Sequence, residues 1–218
     1  MAAGEPLHTV FLLSPANLAG VRARFVLRRE ATFTLAEQLR SREGAPLGAV
    51  YAFISGLYFR GKKAYAEAFG RPPPDGHGGL VITPGEGLLA LDERVTVERL
   101  ERWAAVAIDA GEARFTGPLV RDAEALARRH GERLRVVLLG SIATDKYVGP
   151  LTGAFGARLL FPGEFVGRGD MSRGALMLRA ARDGRELSYE PLEGARRRGP
   201  RAPRVGRPRQ AHRKDPDG

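Results

Sequence analysis

Short, continuous apolar runs alternate along this chain with longer stretches whose apolar residues recur at helical spacing. Residues 8–14 (His-Thr-Val-Phe-Leu-Leu-Ser) are nearly unbroken in their apolarity, the pattern of a strand buried on both faces. Residues 80–83 and 134–139 repeat it, the second most clearly, and residues 158–161 make a shorter strand. Between these runs the spacing predicts helices over 34–40, 57–69, 97–105 and 118–130. Thr34 reads as an N-cap with Glu37 at capping-box spacing. An apolar stretch, 50–54, precedes the second helix, and the fourth carries Leu119, Ala123, Leu126 and Ala127 on one face. Residues 174–182 read as a helix, or as a strand leading into 187–192. Strands alternating with helices predict a single α/β domain, with a mixed or mostly parallel central sheet flanked by helices.

The polar segments sit where such a sheet would need them. Three apolar strands run directly into polar loops, at Ser14 to Asn17, Thr83 to Gly87 and Gly140 to Lys146. Ligands of open α/β sheets bind outside the carboxyl ends of the strands, so these exits predict one composite cleft. A fourth polar segment, 161–174, spaces glycines among Glu164, Arg168, Asp170, Ser172 and Arg173. Glycine-rich backbone lets N–H groups and charged side chains converge on a small anion. The alternative is a surface turn with solvated charges.

Composition narrows the chemistry. There is no cysteine, which removes disulfides, thiolate metal sites and a cysteine nucleophile. The four histidines are scattered without metal-ligand spacing, so neither metal nor cofactor is expected. No apolar run approaches the ~18 residues of a membrane span, and a cytoplasmic protein is expected. The net charge of +10 is concentrated at one end. Residues 195–218 hold eight Arg and one Lys against two Asp, a net of +7, whereas the rest carries 26 basic against 23 acidic residues. The boundary is drawn between an α/β domain at 1–192 and a disordered basic tail at 193–218. The tail is either a solubilising extension or a sequence-blind contact for nucleic-acid phosphate.

Four segments supply candidate binding residues. Ser14 and Asn17 offer a hydroxyl and an amide, although a lone Asn more often turns the backbone locally. Tyr58, Arg60 and Lys62 interleave aromatic and basic character, suited to stacking and phosphate contact, or to a helix with a core face and a solvated face. Ser141 and Lys146 follow the most apolar strand, where Lys146 beside Asp145 could equally be an exposed pair. Arg168, Ser172 and Arg173 would clamp an anion at a helix start. The Gly167-Arg-Gly169 spacing matches neither the phosphate loop of NTPases nor the dinucleotide fingerprint.

Several segments, taken in order, resemble the YaaA family of bacterial peroxide-stress proteins. They are Phe11-Leu-Leu-Ser-Pro-Ala-Asn17, Ser55-Gly-Leu-Tyr-Phe-Arg-Gly61, residues 80–89, Val136-Val-Leu-Leu-Gly-Ser-Ile-Ala-Thr-Asp-Lys-Tyr147 and Arg168-Gly-Asp-Met-Ser-Arg173. The last is similar to that family's Arg-Gly-Leu-Met-Ser-Arg and is the most specific, and the matches span most of residues 8–180. The middle segments also resemble an uncharacterised bacterial and phage domain family with Leu-Tyr-x-Gly and Tyr-Gly-Leu-Leu motifs. The resemblance implies an α/β domain with a positively charged cleft, DNA binding, and protection of DNA under oxidative stress. Two departures stand out. Asn17 replaces the lysine of that family's Ser-Pro-Ala-Lys, and the helical region that carries a helix-hairpin-helix there is much shortened before Val50. The expected function is therefore a nucleic-acid-associated protein whose cleft contacts phosphate and a nucleotide. The alternative is a nucleobase- or nucleoside-modifying glycosidase or transferase, with Asp170 or Glu164 as acid/base.

Overall fold

The structure, a computed structural model, describes residues 7–195 together with Arg197 and Gly199. The first half of the chain forms β1 (His8–Leu13), α1 (Val21–Leu27), α2 (Thr34–Arg40), β2 (Ala45–Pro46), α3 (Leu47–Ser55) and α4 (Leu57–Phe69). A hairpin follows, β3 (Gly79–Thr83) and β4 (Gly87–Ala90), then β5 (Arg94–Val95), α5 (Val97–Ala104) and α6 (Ala113–His130). The last part comprises β6 (Leu134–Leu139), α7 (Asp145–Phe155), β7 (Leu159–Pro162), α8 (Asp170–Asp183) and β8 (Tyr189–Pro191).

Six strands make one sheet in the order β4-β3-β1-β6-β7-β8, and β2 pairs with β5 separately. The four inner strands are parallel, and the two edges, β4 and β8, run antiparallel to their neighbours. Strand β1 lies between β3 and β6, with Leu13 level with Val81 on one side and Leu139 on the other. Its alternating side chains feed two cores. Phe11 and Leu13 pack with α3, α4, α5 and α8, while Val10 and Leu12 pack with α6 and α7. The unbroken apolarity of β1 is thus the signature of a sheet covered on both faces. No helix among the described residues is long and apolar enough to cross a membrane.

Several expectations need correction. Helix α2 has the predicted bounds, but its N-cap is Phe33, and Thr34 makes no capping hydrogen bond. Helix α6 starts at Ala113 rather than 118, because Glu112 caps it by accepting the Arg114 N–H at 3.1 Å. Helix α8 begins at Asp170, so Arg173 and Gly174 stand within a helix and not in a loop before one. Helices α4 and α8 meet through glycine: a Cβ built on Gly61 would lie 2.6 Å from the Gly174 carbonyl oxygen. Lys62 and Arg173 are the sequence neighbours of the two glycines in that contact.

The proposed tail, 193–218, lies mostly outside the described residues. Its first residues are still held by the domain. Ala195 donates its N–H to Leu192 O at 3.2 Å, and Arg197 pairs with Asp145 at the start of α7.

Candidate functional site

The strands β1, β6 and β7 all leave the sheet at the same edge, and a cleft of about 370 Å³ opens there. Ser14 enters its wall from the end of β1, where its N–H continues the ladder to Leu139 O at 3.2 Å. Gly140 stands opposite with no side chain, and a Cβ on it would come within 3.0 Å of Ser14 Cβ. Ser141 and Lys146 come from the β6–α7 loop and first turn, Ser55 and Tyr58 from the α3–α4 junction, and Asp170 from the start of α8. Asn17 lines the mouth, but its Oδ1 accepts the Ala19 N–H at 3.0 Å, the local turn role of a lone Asn.

Two cations lie beneath this wall. Lys62 is completely buried, and its Nζ donates to the Ser14 main-chain oxygen at 2.7 Å and to Ser14 Oγ at 2.8 Å. The ammonium position also faces the Tyr58 ring, 4.1 Å from its centroid. Burial pushes Lys62 down to about 7, against the pull of Asp170 in the other direction, while Arg173 and Lys146 depress it further. Arg173 is buried too, donating from Nε and Nη2 to the Phe165 carbonyl at 3.2 and 3.1 Å. Its Nη1 lies 3.8 Å from Asp170 Oδ1.

The Tyr58 hydroxyl is buried within reach of Ser14 and Arg173 but makes no well-aligned hydrogen bond to either. Burial raises it to about 12, although weak hydrogen bonds with Arg173 and Ser14 lower it slightly, so it stays protonated at any physiological pH. Tyr147, on the same wall, is also raised by burial.

Other expected residues are elsewhere. Thr83 does not open into the cleft: its Oγ1 donates to Gly87 O at 3.0 Å and accepts the Glu86 N–H at 3.1 Å, closing the β3–β4 hairpin. Glu86 in that hairpin is held by Arg99 and, at 2.9 Å, by Trp103 Nε1. Arg168 braces its own loop, donating to Glu164 O at 2.8 Å and to Ser172 Oγ at 3.3 Å. Glu164 turns toward β8, where Oε1 accepts the Ser188 N–H at 3.3 Å, so it does not join Asp170.

Arg60 emerges on the opposite side of α4 from Lys62, as a two-residue offset on a helix requires. It lines an adjoining groove with Arg22, Phe25, Phe53 and Gly56. Phe25, Phe33 and Phe53 are stacked there at interplanar angles of 10° to 22°, and Phe25 is 47% exposed. The Arg22 guanidinium rests on the bare face of Gly56, which would place a Cβ 2.2 Å from Nη1. Gly56 follows Ser55 of the cleft, so groove and cleft are contiguous through the α3–α4 junction. The sequence carries little mark of this groove, because Arg22 and Phe25 lie on α1, a helix of seven residues, too short for a clear periodicity.

No family model, curated protein or solved structure matches this chain.

Proposed function

We propose that this chain is a nucleic-acid-associated protein, in which the cleft takes the phosphate and base of one nucleotide and the adjoining groove carries the flanking strand. The observation that carries this reading is the imbalance of charge beneath the cleft. Lys62 and Arg173 are both buried and Lys146 is half-buried, yet among the described residues the one carboxylate acting on Lys62 is the exposed Asp170. Positive charge that outnumbers its carboxylates favours an anionic ligand. Arg173 has, among the same residues, only the exposed Asp170, at 3.8 Å, and Lys146 adds a second cation. Lys62, at about 7, takes up a proton as an anion arrives, so that a phosphate at this edge would meet these groups and both hydroxyls, Ser14 and Ser141. The groove supports a strand over a free nucleotide. Its stacked, part-exposed phenylalanines offer base-stacking platforms, and Arg22 and Arg60 offer phosphate contacts. Arg197, paired with Asp145 next to Lys146, starts the basic tail beside the same cleft. The resemblance to the YaaA family adds DNA, and its protection under oxidative stress, to this reading.

Fluorescence anisotropy of a labelled single-stranded oligonucleotide tests it. Binding should weaken steeply with added salt and should be lost in part on Lys146→Glu. Binding that is absent at low salt, or indifferent to Lys146→Glu, would count against the cleft.

A further inference from the structure

We propose that Ser14 is a nucleophile and Lys62 its general base, so that the cleft hydrolyses small carboxylic esters. The inference stands on the pairing of these two side chains and does not depend on the nucleotide reading above. Ser14 lines the cleft, while Lys62 lies behind it, wholly buried, with Nζ 2.8 Å from Ser14 Oγ. A nucleophile that faces the substrate, backed by a base within hydrogen-bond reach, is the arrangement that activated serines require. A third group must hold the base in place. Here the Ser14 main-chain oxygen does so, at 2.7 Å from Nζ, with the Tyr58 and Phe59 rings at 4.1 and 5.2 Å. No carboxylate forms an ion pair with Lys62 among the described residues. A buried amine with that lack of a partner favours its neutral form, and burial lowers Lys62 to about 7. Once neutral, the amine has a lone pair, and the same 2.8 Å contact reverses so that Ser14 Oγ donates to Nζ.

The remaining requirement is a donor for the developing oxyanion. Tyr58 is only 6% exposed, and its hydroxyl lies near Ser14 and Arg173 on the cleft wall without a well-aligned hydrogen bond to either. Because burial keeps it protonated, it can donate to negative charge that forms only during reaction. The Ser14 Oγ–carbon bond forms while the hydroxyl proton passes to Lys62 Nζ, giving a tetrahedral oxyanion. That intermediate collapses as the bond to the alcohol oxygen breaks, and the Lys62 ammonium returns its proton to the departing alkoxide. Water then attacks the acyl-Ser14 ester, with Lys62 again taking the proton and passing it to Ser14 Oγ. The net change is ester plus water to carboxylic acid plus alcohol.

The test is covalent labelling of the full chain with a fluorophosphonate probe, in which Ser14 Oγ would displace fluoride from phosphorus. Peptide mapping by mass spectrometry should place the adduct on Ser14, with a labelling rate that rises with pH around neutrality. Lys62→Met should slow labelling at least 100-fold. Where that variant does not fold, Tyr58→Phe removes only the hydroxyl and should slow hydrolysis of p-nitrophenyl acetate at least tenfold at unchanged thermal stability. An unlabelled Ser14 in the folded wild type, or a rate unaffected by Tyr58→Phe, would overturn the proposal. Oligonucleotide binding is measured separately, so either reading can fail without the other.

Discussion

Gly61 of α4 and Gly174 of α8 touch backbone to backbone, with room for a side chain on neither. A Cβ on Gly61 would stand 2.6 Å from Gly174 O, and one on Gly174 would stand 2.7 Å from Leu57 O. Lys62 and Arg173 are the immediate neighbours of this contact, so the glycine pair determines how closely the two buried cations approach. Both obstacles are backbone, which cannot rotate away. Gly61→Ala should therefore destabilise the fold by about 1–3 kcal/mol, the range for overpacking a tight core, as read by denaturant unfolding. It should also weaken oligonucleotide binding, since α4 must move away from α8.

The buried lysine links stability to pH. Its folded value, about 7, lies below its unfolded value of 10.5, so the unfolded chain binds more protons between these limits. Stability should then rise with pH across that window, by at most about 1.4 kcal/mol per pH unit from this one group. Below pH 7 the cost of the buried charge is present in full. Unfolding measured from pH 7.5 to 9.5 should show this rise in the wild type, and Lys62→Met should flatten it.

Arg173 acts first as a clamp on the β7–α8 connection. Its Nε and Nη2 both donate to the Phe165 carbonyl, and its side chain is buried. Arg173→Ala leaves that carbonyl without its partners and should cost about 1–3 kcal/mol in thermal or denaturant unfolding. Arg173→Lys, which keeps the charge, should retain more oligonucleotide binding than Arg173→Ala. Equal loss in both would show that charge at this position does not reach the ligand.

Arg22 and Arg60 should contribute through phosphate alone. Removing both by alanine substitution should leave folding intact and lower the slope of log affinity against log salt by about 1.4, two contacts at the single-strand value. An unchanged slope would remove the groove from the binding path.

The strands and the long amphipathic helix were legible because burial on both faces and clean periodicity leave local marks. Residues 134–139 and 57–69 have the bounds that their patterns predict. Helix α7 was not legible: Gly149, Pro150 and Gly153 weaken its local signal, and packing of Tyr147, Val148, Leu151 and Phe155 onto the sheet holds it instead. The strand exits bring Ser14, Ser141 and Lys146 to one cleft, because parallel strands leave the sheet at one edge. Thr83 obeyed the same rule but spent its hydroxyl on a hairpin with β4, an edge strand of four residues. The burial of Lys62 was beyond reach of the sequence alone. A lysine two residues from Arg60 reads as solvated until the Gly61–Gly174 contact closes over it.

If the charge beneath the cleft takes a phosphate, the phosphate of a nucleotide must carry much of its affinity. Calorimetric titration of a nucleoside monophosphate against the full chain, beside the same nucleoside without phosphate, measures that share. The monophosphate should bind and the bare nucleoside should bind at least tenfold more weakly, with Lys146→Glu abolishing the difference. Equal affinity for the two, or a preference that survives Lys146→Glu, would mean that the cleft does not hold the phosphate.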